Sequence, residues 1–331
     1  MEREIKILSE KAINHINAGE VVERPVSVVK ELVENAIDAK ATEIIVEFDN
    51  GGRNSISVSD DGHGMSKEQL KLAVKRHATS KLDETDINNI NYYGFRGEAL
   101  PSIASISNMT ITSRAKNSPD AWAFDLKGGV ESLLRPASLK HGTTIEVRDL
   151  FSFTPARLKF LKSVTSENYE VIDLMHRFAM ANPTIKFKLF IEGKLKFNIA
   201  TSVDCYEKRA AEIFGNDFLA NYTKFEYTEG KTKIWGFAGL PTYNKNTSQY
   251  QYFFVNGRTV RDKVLLAAIK VAYQNLIPIG RFPAVIVFIE LNPYSVDVNV
   301  HPTKAEVRFR DPENLKSMVI RSIRETLKNV K

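Results

Sequence analysis

The chain has 331 residues, 43% hydrophobic and 26% charged, a balance that suits a globular protein of two ordinary domains. Its 46 Lys and Arg against 40 Asp and Glu give a formal net charge of +6, and its single cysteine, Cys205, excludes an internal disulfide framework and a cysteine metal cluster and fits a reducing compartment. There is no apolar run of about 18 residues to cross a membrane, and residues 1–11 alternate charges with aliphatics, unlike a secretory leader.

Along the chain, Val21–Lys40 reads as an amphipathic helix. Val29, Leu32, Val33 and Ala36 fall on one side, and Glu31, Asn35 and Asp38 on the other. A strand follows with Ile44, Val46 and Phe48 on one face, ended by Asn50-Gly51-Gly52. The next strand has Ile56 and Val58 on its apolar face, and the same alternation delivers Asp60 to that face. Glu98–Ser107 reads as a helix after a glycine-containing loop, Met109–Arg114 and Thr143–Arg148 as strands, and Glu167–Ala181 as a helix stopped by Asn182-Pro183. Strands are expected at Ile185–Ile191 and Lys194–Ile199, with a domain boundary near Ser202 that divides the chain into residues 1–202 and 203–331. Beyond it, Tyr250–Val255 is a strand, Asn256-Gly257 a turn, Val264–Leu276 a helix, Ala284–Leu291 a buried strand, Ser295–Val300 a further strand and Asn314–Lys328 a basic amphipathic helix. Strands and helices mix without a regular βαβ period, so the fold class is α+β. From Val203 to Lys331 there are 19 Lys and Arg against 13 Asp and Glu; the whole positive excess lies there, where a polyanion would be held.

Three separated segments carry chemistry: E-L-V-E-N-A-I-D-A from Glu31, D-D-G-H-G-M from Asp60 and Y-G-F-R-G-E-A-L from Tyr93. None is the glycine-rich lysine loop that commonly cradles phosphates, so a nucleotide would be held without it. Mg²⁺ takes hard oxygen ligands and keeps most of its waters, a role that suits the Asn35 amide oxygen. One turn earlier on the same face, Glu31 could accept a proton from an attacking water. Asp60 points inward, where a lone charge costs several kcal/mol, and the exocyclic amine of adenine would satisfy it. Gly62 and Gly64 let the backbone approach a ligand closely. Gly94 and Gly97 flank Phe95-Arg96 before a helix start, where free N–H groups bind phosphate oxygens. Arg76, Thr79, Ser80 and Lys81 form a polar stretch able to close over such a ligand. His63, His77 and His301 show no metal-ligand spacing, and Cys205 has no histidine partner that would make it a nucleophile.

The order of E-x-x-x-N, D-x-G-x-G, glycine loop and Gly142-Thr143 before a strand resembles the ATPase superfamily of gyrase, heat-shock chaperone, sensor histidine kinase and MutL. A-G-E-V-V-E-R-P (residues 18–25), R-H-A-T-S-K (76–81), G-F-R-G-E-A-L (94–100), T-P-A-R-L-K-F (154–160), F-V-N-G-R (254–258) and V-D-V-N-V-H-P-T-K (296–304) narrow the resemblance to the MutL family of DNA mismatch repair proteins, over nearly the whole chain. It implies a two-layer α/β sandwich ATPase domain with an N-terminal dimerisation segment, followed by a ribosomal-protein-like α/β domain. Glu31 would then be the general base and Asn35 the Mg²⁺ ligand. Asp60, helped by Thr143, would read adenine beside Gly62, Gly64 and Met65. Thr79, Ser80, Lys81 and the run Gly94, Phe95, Arg96, Gly97, Glu98, Ala99 and Leu100 would cover the phosphates, and Lys304 would reach the γ-phosphate. ATP would act as a switch that drives homodimerisation and clamp closure on DNA, with slow hydrolysis as the reset. Arg258, Arg261 and Lys263 are candidates for sequence-independent contacts to the DNA backbone. The partners would be a mismatch-recognition protein and downstream repair factors, in a bacterial cytoplasm at the nucleoid, or in the nucleus of a eukaryote.

Phe153 stands where the family usually has Asn, and Pro101 where a small residue is usual; proline is tolerated in a first helical turn. Family members also carry a C-terminal dimerisation region, in many a metal-dependent nuclease. No such segment precedes Lys331, so the sequence reads as a fragment for which no nuclease is expected. Two other readings stand beside this one. A type II topoisomerase ATPase module shares the nucleotide motifs but not T-P-A-R-L-K-F or R-H-A-T-S-K. A DNA-binding adaptor with a silent site would lack the use that Glu31 and Lys304 imply. A sensor kinase fits least, because no phospho-acceptor histidine segment precedes the site.

Overall fold

The computed structural model describes residues 10–76, 78, 79, 81, 93, 94, 97–201, 206–297 and 307–328. They divide into two compact units, Met1–Met175 with Ile185–Ala200, and His176–Thr184 with Thr201–Lys331. The mixed α/β architecture expected from the sequence is present in both.

In the first unit, the helix expected over Val21–Lys40 is α2 (Pro25–Asp38), begun four residues later, and a separate helix, α1 (Glu10–Val21), precedes it. The break has a local cause. Pro25 cannot donate a backbone hydrogen bond and its ring crowds the preceding turn, so it starts a helix rather than continuing one. After α2 come β1 (Glu43–Asp49), β2 (Ser55–Asp60), α3 (Lys67–Ala73), α4 (Ala99–Ser105), β3 (Asn108–Arg114), β4 (Ala121–Lys127), β5 (Val130–Glu131), β6 (Arg135–Ala137) and β7 (Gly142–Arg148). Helices α5 (Pro155–Leu158) and α6 (Val164–Ala181) precede β8 (Lys186–Ile191) and β9 (Lys194–Ile199). The strands form one sheet in the order β5-β4-β3-β7-β2-β1-β8-β9, with β6 on β4. Every pairing is antiparallel except β1 with β8.

Period-two alternation puts Ile44, Val46, Phe48, Ile56, Val58, Met109, Ile111, Ile145, Val147, Phe187 and Leu189 on the buried face. Helices layer over that face with Val28, Val29, Leu32, Val33, Val171 and Met175 buried. Helix α2 is held at its head by Arg24, whose guanidinium donates to both Glu167 oxygens, at 3.3 and 3.1 Å, and to Glu170 at 3.2 Å. The Glu167 side chain has no solvent exposure, so this pair fixes the α2–α6 packing in a medium where an unpaired carboxylate is costly.

The second unit is built on the sheet β10-β11-β16-β13-β14. Its elements are α7 (Tyr206–Phe214), α8 (Asn216–Leu219), β10 (Tyr222–Glu229), β11 (Thr232–Gly239), β12 (Asn244–Lys245), β13 (Gln251–Val255), β14 (Arg258–Val260), α9 (Lys263–Ala272), β15 (Phe282–Pro283), β16 (Val285–Glu290), β17 (Val296–Asp297), β18 (Arg308–Phe309) and α10 (Pro312–Lys328). Strands β12 with β15 and β17 with β18 form two short separate ladders. Both faces of the main sheet are covered. Phe253, Val255, Val285, Val287 and Ile289 pack with α9 and α10, while Tyr252, Phe254, Ile286 and Phe288 pack with Phe214, Phe218 and Met180. Burial on both sides explains why β13 and β16 read as continuous apolar runs rather than alternating ones.

Arg24→Ala leaves the Glu167 carboxylate buried without its cation and is expected to destabilise the first unit by about 3–5 kcal/mol. Urea unfolding of wild type and variant measures it; a loss under about 1 kcal/mol would place the pair among weak surface bridges.

Candidate functional site

The polar face of α2 is not solvated. Glu31, Glu34 and Asp38 are 7%, 4% and 8% exposed, so their carboxylates must be paired within the fold. Lys30 Nζ lies 3.2 Å from Glu34 and 3.8 Å from Glu31. Farther along the same face, Lys81 Nζ donates to Asn35 Oδ1 at 2.8 Å and to Asp38 Oδ2 at 2.7 Å. The backbone N–H groups of Tyr93 and Gly94 reach the two Asp38 oxygens at 3.0 and 3.1 Å. Two segments far from α2 in sequence thus meet its face.

The sheet supplies the other wall. β2 and β7 pair Asp60 with Thr143, and Thr143 is buried. Gly142, at φ 95°, lets that ladder close: a Cβ there would sit 2.0 Å from the Asp60 carbonyl oxygen. Gly64, at φ 64°, similarly has no room for a side chain against the Arg114 carbonyl. Asp60 Oδ1 accepts the Gly62 N–H at 2.8 Å. Ser113, which sequence reasoning missed, ties these pieces together. Its hydroxyl accepts the Met65 N–H at 2.8 Å and contacts the Gly142 carbonyl at 3.0 Å and the Thr143 hydroxyl at 2.9 Å. The signal was present: Met109, Ile111 and Ser113 alternate onto one face, so a polar group had been delivered to an apolar wall.

The adjacent acids are set apart by their surroundings. Burial pushes the Asp60 carboxyl up to about 6, with the Gly62 N–H and the nearby His63 working against it. Burial also opposes the ionised Asp61, but bonds from the Thr42 hydroxyl and the Glu43 and Thr42 N–H groups outweigh it and hold that carboxyl below its usual range. Asp61 is therefore spent on the start of β1, which leaves Asp60 as the acid with capacity for an outside donor.

Of the other expected positions, Thr79 is described and its hydroxyl accepts the Lys81 N–H at 3.1 Å. Gly97, at φ 63°, closes on the Ala78 carbonyl, Glu98 precedes α4, and Ala99 and Leu100 open it. Ser80, Phe95, Arg96 and Lys304 lie outside the described residues. In the second unit, Arg258 begins β14 after the Asn256-Gly257 turn, Arg261 is exposed, and Lys263 opens α9 behind its cap Asp262. Among the described residues no group of His, Cys, Asp and Glu could hold a metal by itself, and no helix is long and apolar enough to cross a membrane. The Asn35 amide oxygen, a hard donor that already meets the Lys81 ammonium at 2.8 Å, suits a cation.

A sheet layered with helices, a partly buried acid on the strand and a polar helix face lie in a region that matches a known class of ATPase. Residues 23–133 match the family described as histidine kinase-, DNA gyrase B- and HSP90-like ATPase, and residues 210–328 match the DNA mismatch repair protein C-terminal domain family. The DNA mismatch repair protein MutL of Rickettsia bellii is 47% identical over 98% of this chain. The chain spans 54% of that protein's length. The Aquifex aeolicus MutL ATPase domain complexed with ADP is similar over 90% of this chain and 98% of its own, with a TM-score of 0.66 and 27% identity. A crystal structure described as the N-terminal domain of a DNA repair protein shares the fold, with a TM-score of 0.82 and 24% identity over 96% of this chain and 98% of its own. The chain belongs to the MutL family of DNA mismatch repair proteins.

Asp60 keeps its proton in the fold to a higher pH than the unfolded value of 3.8. Its contribution favours folding at acid pH and is lost as pH rises through about 6. Asp60→Asn is expected to remove that dependence, so its stability relative to wild type rises between pH 4 and about 7. Urea midpoints across that range, with carboxyl NMR titration of Asp60, measure it; a parallel pH dependence in both proteins would contradict it.

Proposed function

We propose that this chain is the nucleotide-operated part of a DNA mismatch repair protein: a slow Mg²⁺-dependent ATPase whose ATP binding drives dimerisation through the N-terminal region and closes a clamp on DNA. In that reading, clamp closure couples mismatch recognition to downstream repair factors, and residues 1–202 serve the nucleotide while residues 203–331 serve DNA. The supporting observation is the placement of Glu31 and Asn35 on one face of α2, a helix in contact with β2, together with Asp60 and Thr143 paired where β2 meets β7. The ADP named with the Aquifex structure supports the same ligand class.

Asn35 would hold Mg²⁺, which supplies charge neutralisation at the phosphates when bound. Asp60 would accept the adenine amine and so discriminate adenine from guanine, which offers a carbonyl there. Glu31, within a fold that keeps it from bulk water, would take the proton of the attacking water. Lys304 retains the γ-phosphate role given by the resemblance. Arg258, Arg261 and Lys263 would grip phosphates of the DNA backbone, giving binding that weakens with salt and ignores sequence. A cytoplasmic site of action fits a bacterial relative set. A topoisomerase module would supercoil DNA, and a silent adaptor would bind without turnover.

Glu31→Ala is expected to bind ATP with near-native affinity and to lose turnover by about 10²–10⁴-fold. Steady-state phosphate release with a fluorescent nucleotide titration measures both, and wild-type turnover in the variant would remove Glu31 as the base. Arg261→Glu should weaken DNA binding and flatten its salt dependence while basal ATP turnover stays unchanged. Equal affinity for DNA across a salt series would take this loop out of the interface.

A further inference from the structure

Asp38 lies three residues past Asn35 on α2, and its carboxylate gathers three donors. It accepts Lys81 Nζ at 2.7 Å, Tyr93 N–H at 3.0 Å and Gly94 N–H at 3.1 Å. Its side chain is 5% exposed and that of Lys81 20%. Charge neutralisation alone would be complete with the Lys81–Asp38 pair. Yet the same ammonium also bonds Asn35 Oδ1 at 2.8 Å, the oxygen expected to face Mg²⁺. Gly94 is fitted closely to this arrangement: a Cβ there would lie 3.3 Å from Lys81 Nζ and 3.5 Å from Asn35 Oδ1. Buried, charge-assisted bonds of this kind are strong and directional, so the lysine is held in one place rather than swinging on its four-carbon stem.

We propose that Asp38 is a positioning residue for the nucleotide: it holds the Lys81 ammonium against Asn35 so that the charge meeting the phosphates is set before the ligand arrives. The inference rests on the reading of this site as a nucleotide site. Asp38 touches no reacting atom; it acts through Lys81 and through the Tyr93-Gly94 backbone. Its effect is pre-organisation, since the ordering of a long side chain is completed before binding instead of opposing it. Asn35, meanwhile, keeps its oxygen rather than its amide NH₂ turned to a cation, the orientation that Mg²⁺ requires.

The test is a double-mutant cycle on ATP binding with Asp38→Asn, Lys81→Met and the double variant, read with a fluorescent ATP analogue in Mg²⁺ buffer. Asp38→Asn should raise Kd about tenfold with kcat at saturation changed by less than about twofold. The double variant should bind no worse than the weaker single one, because both substitutions remove the same positioned charge. Asp38→Glu, which keeps the carboxylate, should recover part of the loss. In the nucleotide-free protein, limited acetylation followed by mass spectrometry should label Lys81 several-fold faster in Asp38→Asn than in wild type. Native affinity in Asp38→Asn, additive losses in the double variant, or equal Lys81 labelling would each overturn the proposal. If wild type itself bound no nucleotide, the parent reading would fail, and the labelling ratio would still decide whether Asp38 holds Lys81.

Discussion

The first unit depends on a helix that is buried on two sides at once. One face of α2 contributes Val28, Val29, Leu32, Val33 and Ala36 to the core, while the other carries Glu31, Glu34 and Asp38 at less than a tenth exposure. Apolar burial on the first face is non-directional and would tolerate small rotations of the helix. The second face would not. Each carboxylate has to find a cation or N–H donors, and those come from Lys30, Lys81, Tyr93 and Gly94. The need to satisfy buried acids therefore sets the rotation of α2 more tightly than packing does, and the same need draws the 81 and 93–94 segments to the site. Arg24 on Glu167 and Glu170 repeats this logic at the head of the helix.

Much of the site was legible in sequence because it lies on regular elements. Period two carries Ile56, Val58 and Asp60 to one face, and period 3.6 carries Glu31, Asn35 and Asp38 to another. What escaped was of two kinds. Ser113 and the Asp61–Thr42 contact are tertiary, since neither declares its partner until β3, β7 and β1 are paired. The Val21–Lys40 helix was read through Pro25 because apolar spacing continues across it, and the backbone chemistry of proline overruled the pattern. In the second unit, β13 and β16 announced themselves as apolar runs. β10 did not, because Lys224, Glu226 and Thr228 face outward on an edge strand, where polar residues guard against pairing with another chain.

The two units solve burial differently. In the first, the sheet shows an alternating pattern, one face to the helices, so each strand mixes core with exposed side chains. The second unit sandwiches its sheet between α9 with α10 and an aromatic cluster in which Trp235 and Phe288 stack at 4.1 Å and Phe254 and Phe288 at 4.8 Å. Tyr273, wholly buried and donating to the Gly239 carbonyl at 2.7 Å, shows the price of that density: its hydroxyl needs a partner inside, and burial pushes its ionisation far up. The residues of the candidate site lie on the more open, alternating architecture, on α2 and where β2 pairs with β7.

The path of α6 has a consequence for how this polypeptide could have been assembled or could be divided. The chain passes from the first unit to the second after Met175, returns at Ile185 and leaves again after Ala200. Met180 belongs to the aromatic core of the second unit, and Arg177 bonds the Gln251 carbonyl and lies over the Tyr252 ring. No single scission of the peptide chain can therefore separate the two bodies with each core intact. Recombination or gene fusion at one junction would strand a strip of the other body's interior in water.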